Sequence, residues 1–223
     1  MTPGVTAEGT VARLLDAAEA VFEERGFAGA RMDEIAARAR MAKSHVYYHF
    51  AGKQAIFDEL VRQRIAALLA DKDELLGRLV VDPGDPDGLA ALAGTLTREL
   101  FAPRAAFLRI VLVESLGSGR AAGRGSEEDD EPAPDPDLLL MRVVRPILAD
   151  IVARFQALGY AVDRDAFVSQ VFFFGIVPAA VHTALANRWA SAAAIDPARA
   201  DRLFYDQLAG LQRAHLARLP RAT

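Results

Sequence analysis

No feature limits what this chain can fold into as tightly as the run RMDEIAARARMAKSHVYYHFAGK from Arg31 to Lys53. Ile35, Ala36 and Ala39 recur at helical spacing with Met41 after them, and Val46 and Phe50 repeat four residues apart. The pattern predicts two short helices joined by a tight turn, each with a narrow apolar stripe for a small shared core. The other positions of the second helix then face outward. They are Lys43, Ser44, His45, Tyr47, Tyr48 and His49, which place charge, hydrogen-bond donors and flat rings within about two helical turns.

Charge points the same way. From Arg25 to Lys53 six basic residues (Arg25, Arg31, Arg38, Arg40, Lys43, Lys53) meet two acidic ones (Asp33, Glu34), a local +4 in a chain whose total is -4. Phosphate attraction depends on the groups that neutralise phosphates and not on the overall charge, so an acidic total is compatible with a DNA surface. Single tyrosines such as Tyr47 and Tyr48 are often half-buried core residues, and Val46 and Phe50 read as core. The combined motif is more specific than any one of its members.

These residues resemble a known family. Lys43 to Phe50 followed by Ala51-Gly52-Lys53-Gln54-Ala55-Ile56-Phe57 is similar to the helix-turn-helix signature of the tetracycline-repressor-like (TetR) regulators. The likeness reaches back through Arg13 to Ala18 and Phe22 to Phe27 and covers about the first 60 residues. It implies that Lys43, Ser44, His45 and Tyr48, with Tyr47 beside them, lie in the major groove. It also implies that Tyr47, His49 and Lys53 hold phosphates, and Arg31 joins them on the DNA face. A lysine where a helix begins, beside free backbone N–H groups, independently suits a phosphate. The chain departs from the family pattern at three places. Arg40 stands where the turn glycine is usual and must tolerate a left-handed or distorted conformation, and Ala42 and Arg31 replace polar helix caps.

Around this motif the chain reads as all-α, a three-helix helix-turn-helix domain (1–52) joined to a helical-bundle ligand-binding and dimerisation domain (53–223). Thr10 is the expected cap of a first helix carrying Val11, Leu14, Leu15, Ala18 and Phe22, ended by Gly26. A long helix begins near Lys53. Two prolines and two glycines between Asp82 and Gly88 end it, and the next helix is expected over Leu89 to Phe101. Pro103 suits the first turn of another. Residues 117–137, rich in glycine and serine and then in acids and prolines, read as a disordered loop whose carboxylates are solvated and hold no metal.

Leu138 to Leu158 is expected as a helix interrupted by Pro146. Asp163 is expected to cap the next, in which Phe167, Val171, Phe174, Pro178, Val181 and Leu185 form one stripe and Val168, Phe172, Ile176 and Ala179 a second. Asp196-Pro197 opens a last helix with Leu203, Phe204, Leu208, Leu211 and Leu216. The last two long helices read as half of a four-helix bundle completed by a second copy. A homodimer suits a helix-turn-helix reader, because it sets two recognition helices about one DNA turn apart on a palindromic operator in double-stranded DNA.

The resemblance further implies a pocket for a small, mostly apolar effector among the middle helices. Phe107, Ile110, Val111, Phe173 and Phe174 are its candidate walls, and Glu114, Arg142, His182 and Asn187 its candidate polar groups. For each of them core packing is the competing explanation.

The chain has no cysteine, which excludes disulfides, thiolate metal sites and cysteine nucleophiles. It has no phosphate loop, nucleophile elbow or zinc motif, so neither an enzyme nor a cofactor is expected. The first residues, MTPGVTAEGT, lack a signal-peptide pattern, and Ala166 to Leu185 is interrupted by Ser169, Gln170, Pro178 and His182. A cytoplasmic protein without a membrane partner is expected. The leading expectation is therefore a ligand-responsive regulator, usually a repressor. The alternative is a dimeric helical DNA-binding or interaction protein without a small-molecule effector.

Overall fold

The structure, a computed structural model, describes residues 7–78, 85–117 and 136–221. These form ten α-helices, a 3-10 turn at Ala102–Arg104 and a π-helical turn at Phe172–Ile176. Among the described residues the only β pairing is the single bridge between Tyr160 and Arg221. Two compact units divide the chain, residues 1–67 with 109–140, and residues 68–108 with 141–223. The division does not fall at residue 52: the start of the long helix stays with the motif because Ile56, Phe57, Leu60 and Val61 are buried in the first unit.

In that unit α1 (Ala7–Gly29), α2 (Met32–Ala39) and α3 (Lys43–His49) are followed by the first part of α4 (Lys53–Arg78). Leu14, Leu15, Ala18 and Phe22 of α1 are buried, as their 3.6-residue spacing requires. Phe22, Phe27 and Phe57 form the centre, with ring centroids 5.2 to 5.8 Å apart and Phe57 edge-on to both others. Thr10 is not the cap expected from the sequence. It lies inside α1 with its side chain buried.

Gly26 does interrupt α1, with φ 70° and ψ 169°, a conformation that L side chains rarely adopt. There the Phe27 N–H leaves the helix and donates to Glu114 Oε1 at 2.8 Å. Glu114 lies on α6 (Ala105–Gly117), whose Arg109 also pairs with Glu23.

The second unit holds the end of α4, then α5 (Pro86–Phe101), the start of α6, α7 (Pro136–Ala157), α8 (Arg164–Val171), α9 (Val177–Ala192) and α10 (Pro197–Leu216). Asp85 caps α5 by accepting from the Asp87 N–H, so this helix starts at Pro86, three residues before the expected Leu89. Pro103 sits in the 3-10 turn before α6. Asp163 and Asp196 cap α8 and α10 as expected, accepting from Ala166 N–H at 2.9 Å and Arg199 N–H at 2.8 Å. The expected loop at 117–137 is shorter at both ends, since Gly117 closes α6 and Pro136 opens α7. Its remainder, and positions 79–84 of the expected break, lie outside the described residues.

The helix from Arg164 departs most from its sequence reading. The two stripes expected on it do not keep separate faces, because the π-helical turn at Phe172–Ile176 inserts extra backbone and rotates the residues after it by about 100°. Phe167 is buried before the turn, whereas Phe174, Val181 and Leu185 of the same stripe are exposed beyond Val171. Ala179, Ala180 and Ala184 take over the buried side. The stretch Arg164–Ala192 is long and apolar enough to cross a membrane by length and composition alone, with a mean hydropathy of 1.6 in its most apolar window.

Candidate DNA interface and ligand cavity

The motif helices are held from beneath by Ile35, Ala36, Ala39 and Val46, all buried. Arg40 has φ 54° and ψ 48°, the left-handed conformation expected where a glycine is usual. It closes α2 as a Schellman motif, with Arg40 N–H donating to Ala37 O at 3.1 Å and Met41 N–H to Ala36 O at 2.9 Å. Ala42 precedes α3 without a side-chain cap, and Arg31 precedes α2 in the same way. Local sequence is thus suboptimal at both ends of the turn. Replacing Arg40 by glycine and Ala42 by serine is expected to raise stability by about 1 kcal/mol each. Urea unfolding of each variant checks this, and an unchanged or lower midpoint would contradict it.

Lys43, Ser44, His45, Tyr47 and Tyr48 all face solvent on α3, and Tyr48 is 82% exposed. The rings of His45, Tyr48 and His49 form one cluster, with centroids 5.2 to 6.3 Å apart. His49 Nε2 is buried with no hydrogen-bond partner among the described residues.

Lys53 differs. It is only 4% exposed, its Nζ donates to Ala30 O at 3.2 Å and lies 4.7 Å from the centre of the Phe27 ring. In this conformation the ammonium pins the start of α4 to the end of α1 and is not presented outward as a phosphate hook. Lys53 is the first residue of α4.

The local positive charge is also partly neutralised. Arg38 makes a two-armed pair with Glu24 at 2.8 Å, Lys43 meets Asp33 at 2.8 Å and Arg25 meets Glu34 at 3.7 Å. The Arg38 hydrogen bond holds the Glu24 carboxyl below its ordinary pKa. Arg31 and Arg40 remain exposed and without an ion-pair partner among the described residues. Sequence counting could not foresee the Arg38 pairing, because Glu24 lies outside the counted window and on another helix.

The second unit contains a cavity of about 410 Å³, within the range of small-molecule sites. Its wall draws on the end of α4 (Lys72, Leu76), on α5 (Leu92, Leu96), on α7 (Ile147, Ile151, Phe155), on α8 and the π-helical turn (Phe167, Val171, Gly175), and on α10 (Gln212, His215). None of the nine ligand candidates from the sequence lines it. Phe107 is core, and Ile110 and Val111 are buried in the other unit with Glu114, which caps the backbone at Phe27. Arg142, Phe173 and Phe174 are exposed. His182 accepts or donates at 3.0 Å with Asp201 and stacks 3.9 Å from Phe204, an interior histidine with its own partners.

The polar groups of the wall are few. Lys72 is buried and pairs with Asp150 at 2.6 Å and Asp73 at 3.2 Å, and Arg154 shares both carboxylates. Burial would raise the Asp150 pKa, but the hydrogen bonds from Arg154 and Lys72 outweigh it and hold the carboxyl below its ordinary value. Gln212 Nε2 donates to Phe174 O at 2.8 Å. Pro178 explains why that oxygen needs a donor, since its ring lacks the N–H that would bond four residues back. A signal for these residues was present in α10. Gln212 and His215 interrupt an inward stripe between Leu208 and Leu216, and polar residues on a core face ask for a partner.

Comparison with known proteins places the chain. The family model described as "Bacterial regulatory proteins, tetR family" matches residues 14–60. A helix-turn-helix-type transcriptional repressor of Streptomyces coelicolor is 36% identical over 81 residues, which is 36% of this chain and 38% of that one. The A-factor receptor protein of Streptomyces griseus is 28% identical over 85 residues, 38% of this chain and 31% of that one. The chain thus spans less than two fifths of the length of either relative. A TetR-like transcriptional regulator from Rhodococcus shares the fold, with a TM-score of 0.60 at 17% identity over 98% of this chain and 100% of that one. The regulator FadR of Bacillus subtilis, solved in complex with stearoyl-CoA, has a TM-score of 0.54 at 14% identity over 89% and 97%. With its signature helices and the family match over residues 14–60, the N-terminal part of the chain is similar to the TetR family of bacterial regulatory proteins, and the described helices share the fold of TetR-like regulators.

Proposed function

We propose that this protein is a ligand-responsive transcriptional repressor that binds a palindromic duplex operator as a homodimer and is released by a small, mostly apolar effector. The observation that carries the reading is the outer face of α3, where Lys43, Ser44, His45, Tyr47 and Tyr48 are exposed on a helix whose inner side is anchored by Val46. Tyr48 and His45 would read base edges, and Lys43 and Tyr47 would sit beside them. His49 would turn its unpartnered Nε2 to a phosphate, with Arg31 and Arg40 adding attraction. Lys53 would act by fixing the start of α4.

Three relationships support the rest. The similar proteins include a repressor and a negative regulator, the latter controlling a biofilm operon in Staphylococcus aureus. A large apolar face on α9 and α10, with Leu185, Trp189, Leu203 and Leu211 exposed, suits a second copy. The same face accounts for the apolar length of Arg164–Ala192 without a membrane, in keeping with a cytoplasmic regulator. The cavity supports an effector site, and an effector there must favour one conformation of the dimer, since equal affinity for both shifts nothing. The B. subtilis relative's stearoyl-CoA is consistent with an apolar ligand.

Selection of bound sites from random duplex DNA at near-physiological salt tests the proposal. The wild-type chain is expected to enrich a two-fold symmetric consensus. Tyr48→Ala should relax preference at one position per half-site, with discrimination there falling by roughly 1–3 kcal/mol. Absence of any consensus would overturn sequence-specific repression, and an unchanged consensus in the variant would remove Tyr48 from the reading face.

A further inference from the structure

The wall of the cavity in the second unit carries five polar or charged side chains, Lys72, Thr97, Arg154, Gln212 and His215. Four already have partners. Lys72 and Arg154 are neutralised by Asp73 and Asp150, Thr97 Oγ1 donates to Ala93 O at 2.6 Å, and Gln212 Nε2 donates to Phe174 O. His215 is the exception, because its Nε2 is buried with no hydrogen-bond partner among the described residues. Leaving such an atom unpaired is costly, and since His215 borders the cavity, a small rotation of its ring would give Nε2 a directed bond to a ligand there.

We propose that the cavity takes an uncharged, mostly apolar alcohol or phenol, whose hydroxyl hydrogen-bonds Nε2 of His215. The assignment rests on the reading of this cavity as the effector site. A hydroxyl is the group that fits without knowledge of the tautomer, since it donates to a bare Nε2 and accepts from a protonated one. Burial also pushes the imidazole below its ordinary pKa, which keeps it neutral and removes its attraction for an anion. A carboxylate at the other polar end would approach Lys72 and Arg154 only alongside Asp73 and Asp150, which already occupy both cations. The remaining wall, with Leu92, Leu96, Ile147, Ile151, Phe155 and Val171, offers only apolar contact.

The test compares 1-decanol, decyl methyl ether and decanoate by calorimetric titration into the full-length protein. Decanol should bind about tenfold tighter than either of the others, the size expected of one net hydrogen bond. His215→Phe keeps an aromatic ring and should abolish that preference while retaining affinity for the ether. His215→Gln, which restores a polar end, should recover part of it. His215→Phe without ligand should also melt at a higher temperature than wild type, showing that the variant folds and that the buried nitrogen was unpaired. If the wild type binds none of the three, the cavity reading itself fails and this assignment with it. If they bind but decanoate binds tightest, or the preference persists in His215→Phe, the hydroxyl assignment alone is overturned.

Discussion

Glutamate at both Leu185 and Trp189 is expected to leave the protein monomeric and to cut its affinity for its selected operator by at least about 100-fold. Both side chains are exposed on α9, Trp189 by 53%, alongside Leu203 and Leu211 of α10. Each buried side chain of this size contributes roughly 1.5–3 kcal/mol on leaving water. In a two-fold interface every substitution occurs twice, so the variant loses four apolar anchors and must bury four carboxylates or separate. Neither residue belongs to the buried core of its own unit, so the fold of the chain should be kept. Sedimentation and operator titration check the prediction together. A variant that remains dimeric and binds as before would show that copies do not meet on this face. Wild-type protein that cosediments with phospholipid vesicles would instead assign the face, and the apolar length of Arg164–Ala192, to a membrane.

Phe57→Ala is expected to destabilise the first unit by about 3–5 kcal/mol and to abolish operator binding through loss of structure. Phe57 is fully buried and meets Phe22 at 5.4 Å and Phe27 at 5.2 Å, edge to face in both cases. Its removal leaves a cavity beneath the ring that holds the Lys53 ammonium, so the start of α4 loses its support together with the core. The loss is large beside the 5–15 kcal/mol that typically stabilises a domain. Amide hydrogen exchange should show faster opening from α1 through the first turns of α4. Phe57→Leu, which fills more of the space, should cost much less. Unfolding of Phe57→Ala at the wild-type urea midpoint would contradict the role given to this aromatic centre.

The contrast between these two sites reflects how far each depends on local interactions. The turn between α2 and α3 could be read directly from residues. Left-handed Arg40, uncapped Ala42 and the outward set from Lys43 to Tyr48 all arise from bonds and periodicities within a few positions. The Asp163 and Asp196 caps are of the same kind. The inward turn of Lys53 was not legible, because its partners Ala30 and Phe27 lie more than twenty residues away. The charge count around the motif likewise could not foresee that Glu24 on α1 would take Arg38.

The cavity was still less accessible to sequence reasoning. Its wall is assembled from Lys72 to Leu216, and membership depends on a π-helical turn that moves Phe173 and Phe174 outward while Gly175 and Ile176 remain at the wall. Hydrophobic periodicity assumes a constant 3.6 residues per turn, and Pro178 with the Gln212 bond breaks that assumption at one place. By itself the sequence determined most of the helices, the Asp163 and Asp196 caps and the recognition motif, since these are set by hydrogen bonds and spacings close along the chain. Only the tertiary structure decided which apolar side chains became core, cavity wall or exposed face, because that choice belongs to the packing of helices distant in sequence.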